Sequence, residues 1–220
     1  MWETEKEPFW KRLKGSKAKI EAVAIDMSPA YISAVMENLT KATIVFDHFH
    51  IIKLYNDGLS ELRRKLYHEA TTLLEKQVIK GTRWLLLKNP ENLNENRNEP
   101  QRLQEALRLN QPLATAYYMK EDLRQLWSQS SKKKALAFLS DWVYRAGSSG
   151  IAMLQKFART LAAHRTGILA YYDYPISTGP LEGTNNKIKT MKRQAYGFRD
   201  LEFFKLKIMA IHETKYALVG

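Results

Sequence analysis

The sequence predicts a mostly helical α/β protein: two parallel strands near the beginning of the chain, then a long block without strand signal. Three observations carry this. Residues 20–25 (IEAVAI) and 42–46 (ATIVF) are short apolar runs, each ending in an aspartate, Asp26 and Asp47. Between them Ser28 and Pro29 form a helix start, followed by Tyr31, Ile32, Val35, Met36 and Leu39 at helical spacing. After Asp47 only helical periodicity returns, so the opening reads as one β-α-β unit with a right-handed crossover.

Taken in order, Glu5 to Leu13 forms a short amphipathic helix that buries Phe9, Trp10 and Leu13 and stops near Gly15. The β-α-β unit follows. In open α/β sheets the carboxyl ends of parallel strands face the ligand crevice, which is where Asp26 and Asp47 fall. Ser28 is able to cap the first helix, which leaves Asp26 either as a solvated turn residue or as a site residue. Asp47 to Gly81 reads as helix with one candidate interruption at Asp57-Gly58. Trp84 to Leu87 is a short apolar patch, and residues 88–100 (KNPENLNENRNEP) read as an exposed loop. Helices follow at about Gln101–Asn110, Leu113–Gln129, Lys132–Ala146, Ile151–Ala163 and Arg165–Tyr172. Tyr117, Tyr118, Trp127, Phe138, Trp142 and Tyr144 are assigned to this helical core rather than to base stacking. A last helix, Leu201–Tyr216, buries Leu201, Phe204, Leu206, Ile208 and Ile211 on one side.

Composition narrows the partner. Lysine and arginine number 35 against 23 aspartates and glutamates, a formal net charge of +12 that favours a polyanion, nucleic acid first, over an acidic small molecule. Cysteine is absent, which excludes disulfides and thiolate zinc sites and fits a reducing compartment. No segment approaches the apolar length of a membrane span, and residues 1–15 contain no apolar signal core, so the expectation is a soluble cytoplasmic protein. There is no repeat, heptad pattern, glycine-rich phosphate loop or Walker lysine motif. His48 and His50 are too close for helical metal-ligand spacing, and His68, His164 and His212 are isolated in sequence.

The most distinctive stretch is Tyr174 to Asp200. Gly179-Pro180 starts a helix, Glu182 falls in its first turn, and Lys187, Lys189, Lys192, Arg193 and Arg199 follow. Those cations suit contact with phosphate, and an acid beside them suits metal-assisted phosphodiester chemistry. A glutamate at that position equally complements the helix dipole and its unpaired N–H groups.

Three pieces now stand together: AIDMSPAY at residues 24–31, VFDHFHIIK at 45–53 and GPLEGTNNKIK at 179–189. Their combination resembles the DDE transposases of bacterial insertion sequences, specifically the ISL-three group, and the likeness covers nearly the whole chain. It implies an RNase H-like core interrupted by a long helical insertion before the last acid, and hence a partial core at 1–56, an insertion at 57–173 and C-terminal core helices at 174–220. Asp26 then corresponds to the second catalytic carboxylate and Glu182, 156 residues later, to the third. Asp47 and His50 match the group's Asp-x-x-His signature, with His50 donating a hydrogen bond or helping to hold phosphate. The implied cofactor is Mg²⁺ or Mn²⁺ held by Asp26 and Glu182. The implied partners are insertion-sequence DNA ends, contacted by Lys187, Lys189, Lys192, Arg193 and Arg199, and further copies of the chain.

The resemblance also implies a departure. The group's first aspartate lies on an upstream strand, whereas here about one helix precedes Asp26. The expectation is therefore a truncated core, lacking one acid and the first three strands, that does not cleave DNA alone. The alternative, of another class, is a non-enzymatic basic protein that binds DNA or a full-length transposase.

Overall fold

The structure is a computed structural model; it describes residues 19–217, and side chains as far as residue 211. The helix expected at Glu5–Leu13 lies outside the described residues. Alternating β-branched and apolar residues form strands β1 (Ala22–Ile25) and β2 (Thr43–Phe46). The two pair in parallel with Ala22 opposite Thr43 and Ile25 opposite Phe46. Helix α1 (Pro29–Asn38) makes the crossover, with proline in its first turn where a missing N–H costs nothing. Ser28 occupies the N-cap position, but its side chain makes no capping bond. The Asp26 carboxylate does the local work instead, accepting from the Ser28 N–H at 2.9 Å, so Asp26 has a turn-forming role that the expected serine cap left out.

Helix α2 (His48–Glu69) runs without a break through Asp57-Gly58. Gly58 is a packing residue there, because a Cβ would lie 3.1 Å from Cγ of Met153. The chain breaks later, at Ala70–Thr72. Thr72 and Glu75 then exchange hydrogen bonds as a capping box at the start of α3 (Leu73–Gly81). Helix α4 (Arg83–Leu87) is the apolar patch seen in the sequence. The asparagine-rich segment is mostly exposed, as expected, but it is organised into two 3-10 turns, Pro90–Asn92 and Glu95–Arg97. Glu99 closes it: buried, it accepts from Asn94 N at 2.9 Å and Lys88 Nζ at 2.6 Å.

Helices α5 (Glu99–Leu109), α6 (Gln111–Arg124), α7 (Lys132–Gly147), α8 (Ala152–Ala163) and α9 (Arg165–Leu169) complete the block. Short 3-10 turns at Gln125–Ser128 and Ala170–Tyr172 extend α6 and α9. Asn110 caps α6 by accepting from Leu113 N, and Ser131 caps α7 by accepting from Lys134 N. Helices α10 (Gly179–Gln194) and α11 (Leu201–Ala217) follow. The chain divides into two compact units, Met1–Ser177 and Thr178–Gly220.

In the first unit Phe46, Ile51, Tyr55 and Leu59 share one hydrophobic core with Leu113, Leu139, Trp142 and Phe157, so the β-α-β unit and the helical block are not separately packed. Three buried donors tie that core to backbone carbonyls. Tyr55 Oη donates to Ala116 O (2.6 Å), Trp142 Nε1 to Met119 O (3.0 Å) and Lys120 Nζ to Leu86 O (2.7 Å). Tyr117 and Trp142 are buried and Trp127 and Phe138 pack against the core, but Tyr118 and Tyr144 are exposed. A helix cannot turn Tyr117 and Tyr118, or Trp142 and Tyr144, inward together. In the second unit Phe204, Ile208 and Ile211 are half-buried, whereas Leu201 and Leu206 are exposed. Leu206 stands about 200° round the helix from Phe204, on the opposite face.

Three outcomes follow from this packing. A methyl at Gly167 would stand 2.5 Å from Cδ2 of the buried Phe46 ring and 3.3 Å from Ile44 O. Gly167→Ala is therefore expected to destabilise the chain by about 2 kcal/mol in urea unfolding; an unchanged midpoint would contradict the packing. Lys120 is 1% exposed and also donates to Lys88 O at 3.2 Å. Lys120→Met leaves both carbonyls unmet and is expected to cost about 2 kcal/mol by the same measurement, Glu121 keeping Arg124 as a partner. The hydrogen bond from Lys88, with that from Asn94, holds the Glu99 carboxyl below its ordinary value of 4.5. Because the folded value is the depressed one, this contribution is complete above about pH 4.5 and is lost as pH falls through the folded value. Glu99→Gln should flatten that part of the stability–pH curve.

Candidate functional site

The pairing of Ile25 with Phe46 sets Asp26 and Asp47 side by side at the carboxyl ends of the two strands. Asp47 continues the ladder, its N–H bonding Ile25 O at 3.0 Å, and its carboxylate then accepts from Phe49 N at 2.8 Å as the N-cap of α2. At 2% exposure it is a buried joint between sheet and helix. Asp26 is half-buried. One of its oxygens takes the Ser28 N–H, and among the described residues the other has no hydrogen-bond partner. Hard carboxylate oxygens of this kind suit Mg²⁺ or Mn²⁺, which take few protein ligands and complete their shells with water and phosphate.

His50 is half-buried in the first turn of α2, three residues after the capping Asp47. His48 is more exposed. Its ring stands 3.6 Å from the Asp47 carboxylate, Nδ1 to Oδ1, with ring centroids 5.6 Å from Trp127 and 6.3 Å from Tyr171. Among the described residues no group of three or more His, Asp or Glu side chains is gathered as for a metal ion. A groove of about 720 Å³ between α2 and α8 is lined by none of the candidate site residues.

In the second unit Glu182 lies in the first turn of α10, half-buried, and its N–H bonds Thr178 O at 2.9 Å. At 100° per residue Glu182, Asn186, Lys189 and Arg193 fall in one stripe about 60° wide, with Lys192 bordering it. Lys187 lies roughly 130° round the helix from that stripe. Lys189 and Arg193 stand about 10 and 16 Å down the axis from Glu182. Lys187, Lys189, Lys192, Arg193 and Arg199 are all exposed, and among the described residues none makes an ion pair. Arg193 donates only to Thr190 Oγ1, at 3.3 Å. The structural role open to Lys192 and Arg193 is to complement the carbonyl end of the helix, in whose last turn they sit.

Two residues passed over in the sequence join this surface. Asn186, Lys189, Lys192, Arg193, Tyr196 and Gly197 line one open groove. Helix α10 ends in a Schellman motif, with Gly197 N on Lys192 O at 2.9 Å and Tyr196 N on Arg193 O at 3.1 Å. The left-handed C′ position falls on Tyr196, at φ 49°, and Gly197 after it is at positive φ as well, 101°. A side chain there costs roughly 1 kcal/mol relative to glycine. The signal is a Tyr-Gly pair directly after a helical run, where both residues take positive φ.

Among the described residues no helix is long and apolar enough to cross a membrane. A family model described as a transposase, that of the ISL-three group, matches residues 3–208. The chain is 40% identical over 212 residues to the transposase for insertion sequence element IS1001 of Bordetella parapertussis, covering 94% of this chain and 51% of that one. It is 28% identical over 204 residues to the transposase for insertion sequence element IS1557 of Mycobacterium tuberculosis, covering 83% and 45%. The chain thus spans about half the length of the curated relatives it matches. No solved structure matches it. A family match over nearly the whole chain, with a relative at 40% identity, carries one conclusion: the chain belongs to the ISL-three group of insertion-sequence transposases.

Proposed function

We propose that this chain carries part of a DNA strand-transfer site, in which Asp26 and Glu182 are carboxylate ligands for Mg²⁺ or Mn²⁺ and the basic face of α10 holds the DNA backbone. The carrying observation is the Asp26 carboxylate at a parallel-strand tip, one oxygen committed to a turn and the other without a partner among the described residues. On this reading residues 1–56 and 174–220 belong to an RNase H-like core and 57–173 form its helical insertion. A divalent ion, when bound, supplies Lewis-acid polarisation of the phosphodiester and of the attacking oxygen.

The chain's own residues do the rest. The turn bond from Ser28 fixes the direction of the Asp26 carboxylate. Asp47, buried as ladder residue and cap, fixes the first turn of α2 that carries His50, and on this reading His50 donates an N–H to a phosphate oxygen. Glu182 provides a second carboxylate from the rigid first turn of a helix. Lys189 and Arg193 hold successive phosphates along its side of α10, and Lys187, Lys192 and Arg199 add contacts at its flanks.

A second reading, a basic protein that binds DNA or another transposase copy without chemistry, is favoured by the unpaired cations of α10, which need no acid to act. The two readings part in one set of measurements. On the first, Mn²⁺ raises the unfolding midpoint of the full chain, and the rise is lost in Asp26→Asn, which keeps the oxygen that receives the Ser28 N–H, and reduced in Glu182→Gln. Equal Mn²⁺ stabilisation of all three proteins, or none in the parent, would leave only the second. On either reading Lys189→Gln and Arg193→Gln should each lower the slope of log affinity for duplex DNA against log salt by about one. Lys187→Gln should lower it by less.

A further inference from the structure

Tyr196 is the aromatic residue among those that line the basic groove, and its circumstances are unusual. It is 100% exposed, and its side chain makes no hydrogen bond, ring contact or ion pair among the described residues. It also holds the left-handed backbone position that a helix end normally gives to glycine. Neither packing nor local backbone preference accounts for a tyrosine there. The next aromatic shows what packing looks like at the same turn: Phe198 stacks on Phe204 at 4.6 Å between ring centroids, closing the corner into α11. Asp200 then caps that helix, accepting from Glu202 N and Phe203 N. The turn is thus built from Phe198 and Asp200, and Tyr196 is held outward on a fixed support.

We infer that Tyr196 stacks on a nucleobase of an unpaired DNA strand whose phosphates are gripped by Lys189, Lys192 and Arg193. The inference rests on the DNA reading of α10 proposed above and adds to it a class of nucleic acid. An exposed aromatic ring among unpaired cations is the pairing that binds single strands: the cations track the backbone, and the ring takes a base face. In an intact duplex each base face is covered by its neighbours, so the ring has a partner only where bases are unpaired. Asn186, on the same groove, offers an amide to the base edge or the sugar.

The test uses the full chain, a fluorescein-labelled oligothymidylate and the blunt duplex of the same length, followed by anisotropy over a salt series. Tyr196→Gly is the principal variant, since glycine suits the positive φ and a loss of binding cannot then come from a frayed helix. The result expected is about tenfold weaker binding of the single strand with its salt slope unchanged, duplex binding unaltered, and Tyr196→Phe close to the parent. Lys189→Gln, in contrast, should lower the salt slope with both probes. If Tyr196→Gly binds both probes as the parent does, or weakens both equally, base stacking is overturned and the DNA reading of α10 stands. If the parent binds neither probe, the DNA reading falls and this inference with it.

Discussion

Asp47 is the constraint on which the first unit is built. Its backbone N–H extends the parallel ladder to Ile25 O, and one residue later its carboxylate caps a 22-residue helix. A residue that serves sheet and helix together leaves no slack between them. Phe46 and Ile51, on either side of the joint, are therefore delivered into one core with the helical block. Burying a carboxylate is costly unless its charge meets donors, and the N-terminus of a helix supplies both N–H groups and a favourable dipole. The same geometry explains why two acids that end neighbouring strands differ so much in setting. Asp47 is enclosed by the helix it starts, whereas Asp26 ends a strand whose chain turns away through Ser28 before its helix begins.

The helical block is held by apolar burial and by donors aimed at carbonyls that helix ends leave open. Lys120 is the extreme case. Burial pushes its ammonium below the ordinary lysine value, opposed by Glu121, while its protons meet Leu86 O and Lys88 O at the end of α4. A short helix of five residues has few internal bonds of its own, and a buried cation at its carbonyl end meets C=O groups that the helix leaves open. Tyr55 and Trp142 donate instead to carbonyls inside α6, Ala116 O and Met119 O, and each ring also stands edge-on to Phe157, at 4.9 and 5.8 Å.

Most of the elements were legible because they are written in local chemistry. Proline and glycine positions, strand-like apolar runs and three-four periodicity place both strands, the crossover helix and the helices from α5 onward within a few residues of where they stand. Two of the misreadings share one cause, a residue whose role is set by something distant in sequence. Gly58 reads as a breaker but lies inside a continuous helix, where Met153 packs against it. The asparagine-rich segment reads as plain loop, yet Glu99 and Lys88 fasten it across eleven positions. Tyr118 and Tyr144 read as core because the aromatic spacings fit a helical core, but each lies one or two residues after a buried ring and so falls on another face of its helix. Of the site, the acids and cations were named from the sequence, but Tyr196 was not, since a left-handed tyrosine cannot be told from a helical one without the backbone.

The basic charge of the chain is not one property but two. In the first unit several of its cations are spent internally: Arg124 bridges Glu91 and Glu121, Arg145 bridges Asp122 and Asp141, and Lys132 meets Asp173. Such exposed pairs are worth little individually, but each cancels charge locally. Along α10 the cations have no such partners among the described residues, and they recur on the period of the helix, so their fields add along one side. A net charge of +12 alone would have suggested a diffuse affinity for nucleic acid. Its distribution says more: the unpaired cations lie on a regular helix with Glu182 at one end of their stripe and Tyr196 just beyond the other. Phosphates laid along that side of α10 would join a carboxylate to an aromatic ring by a path of fixed length, a geometry suited to positioning one strand at a chosen nucleotide and unnecessary for binding DNA in bulk.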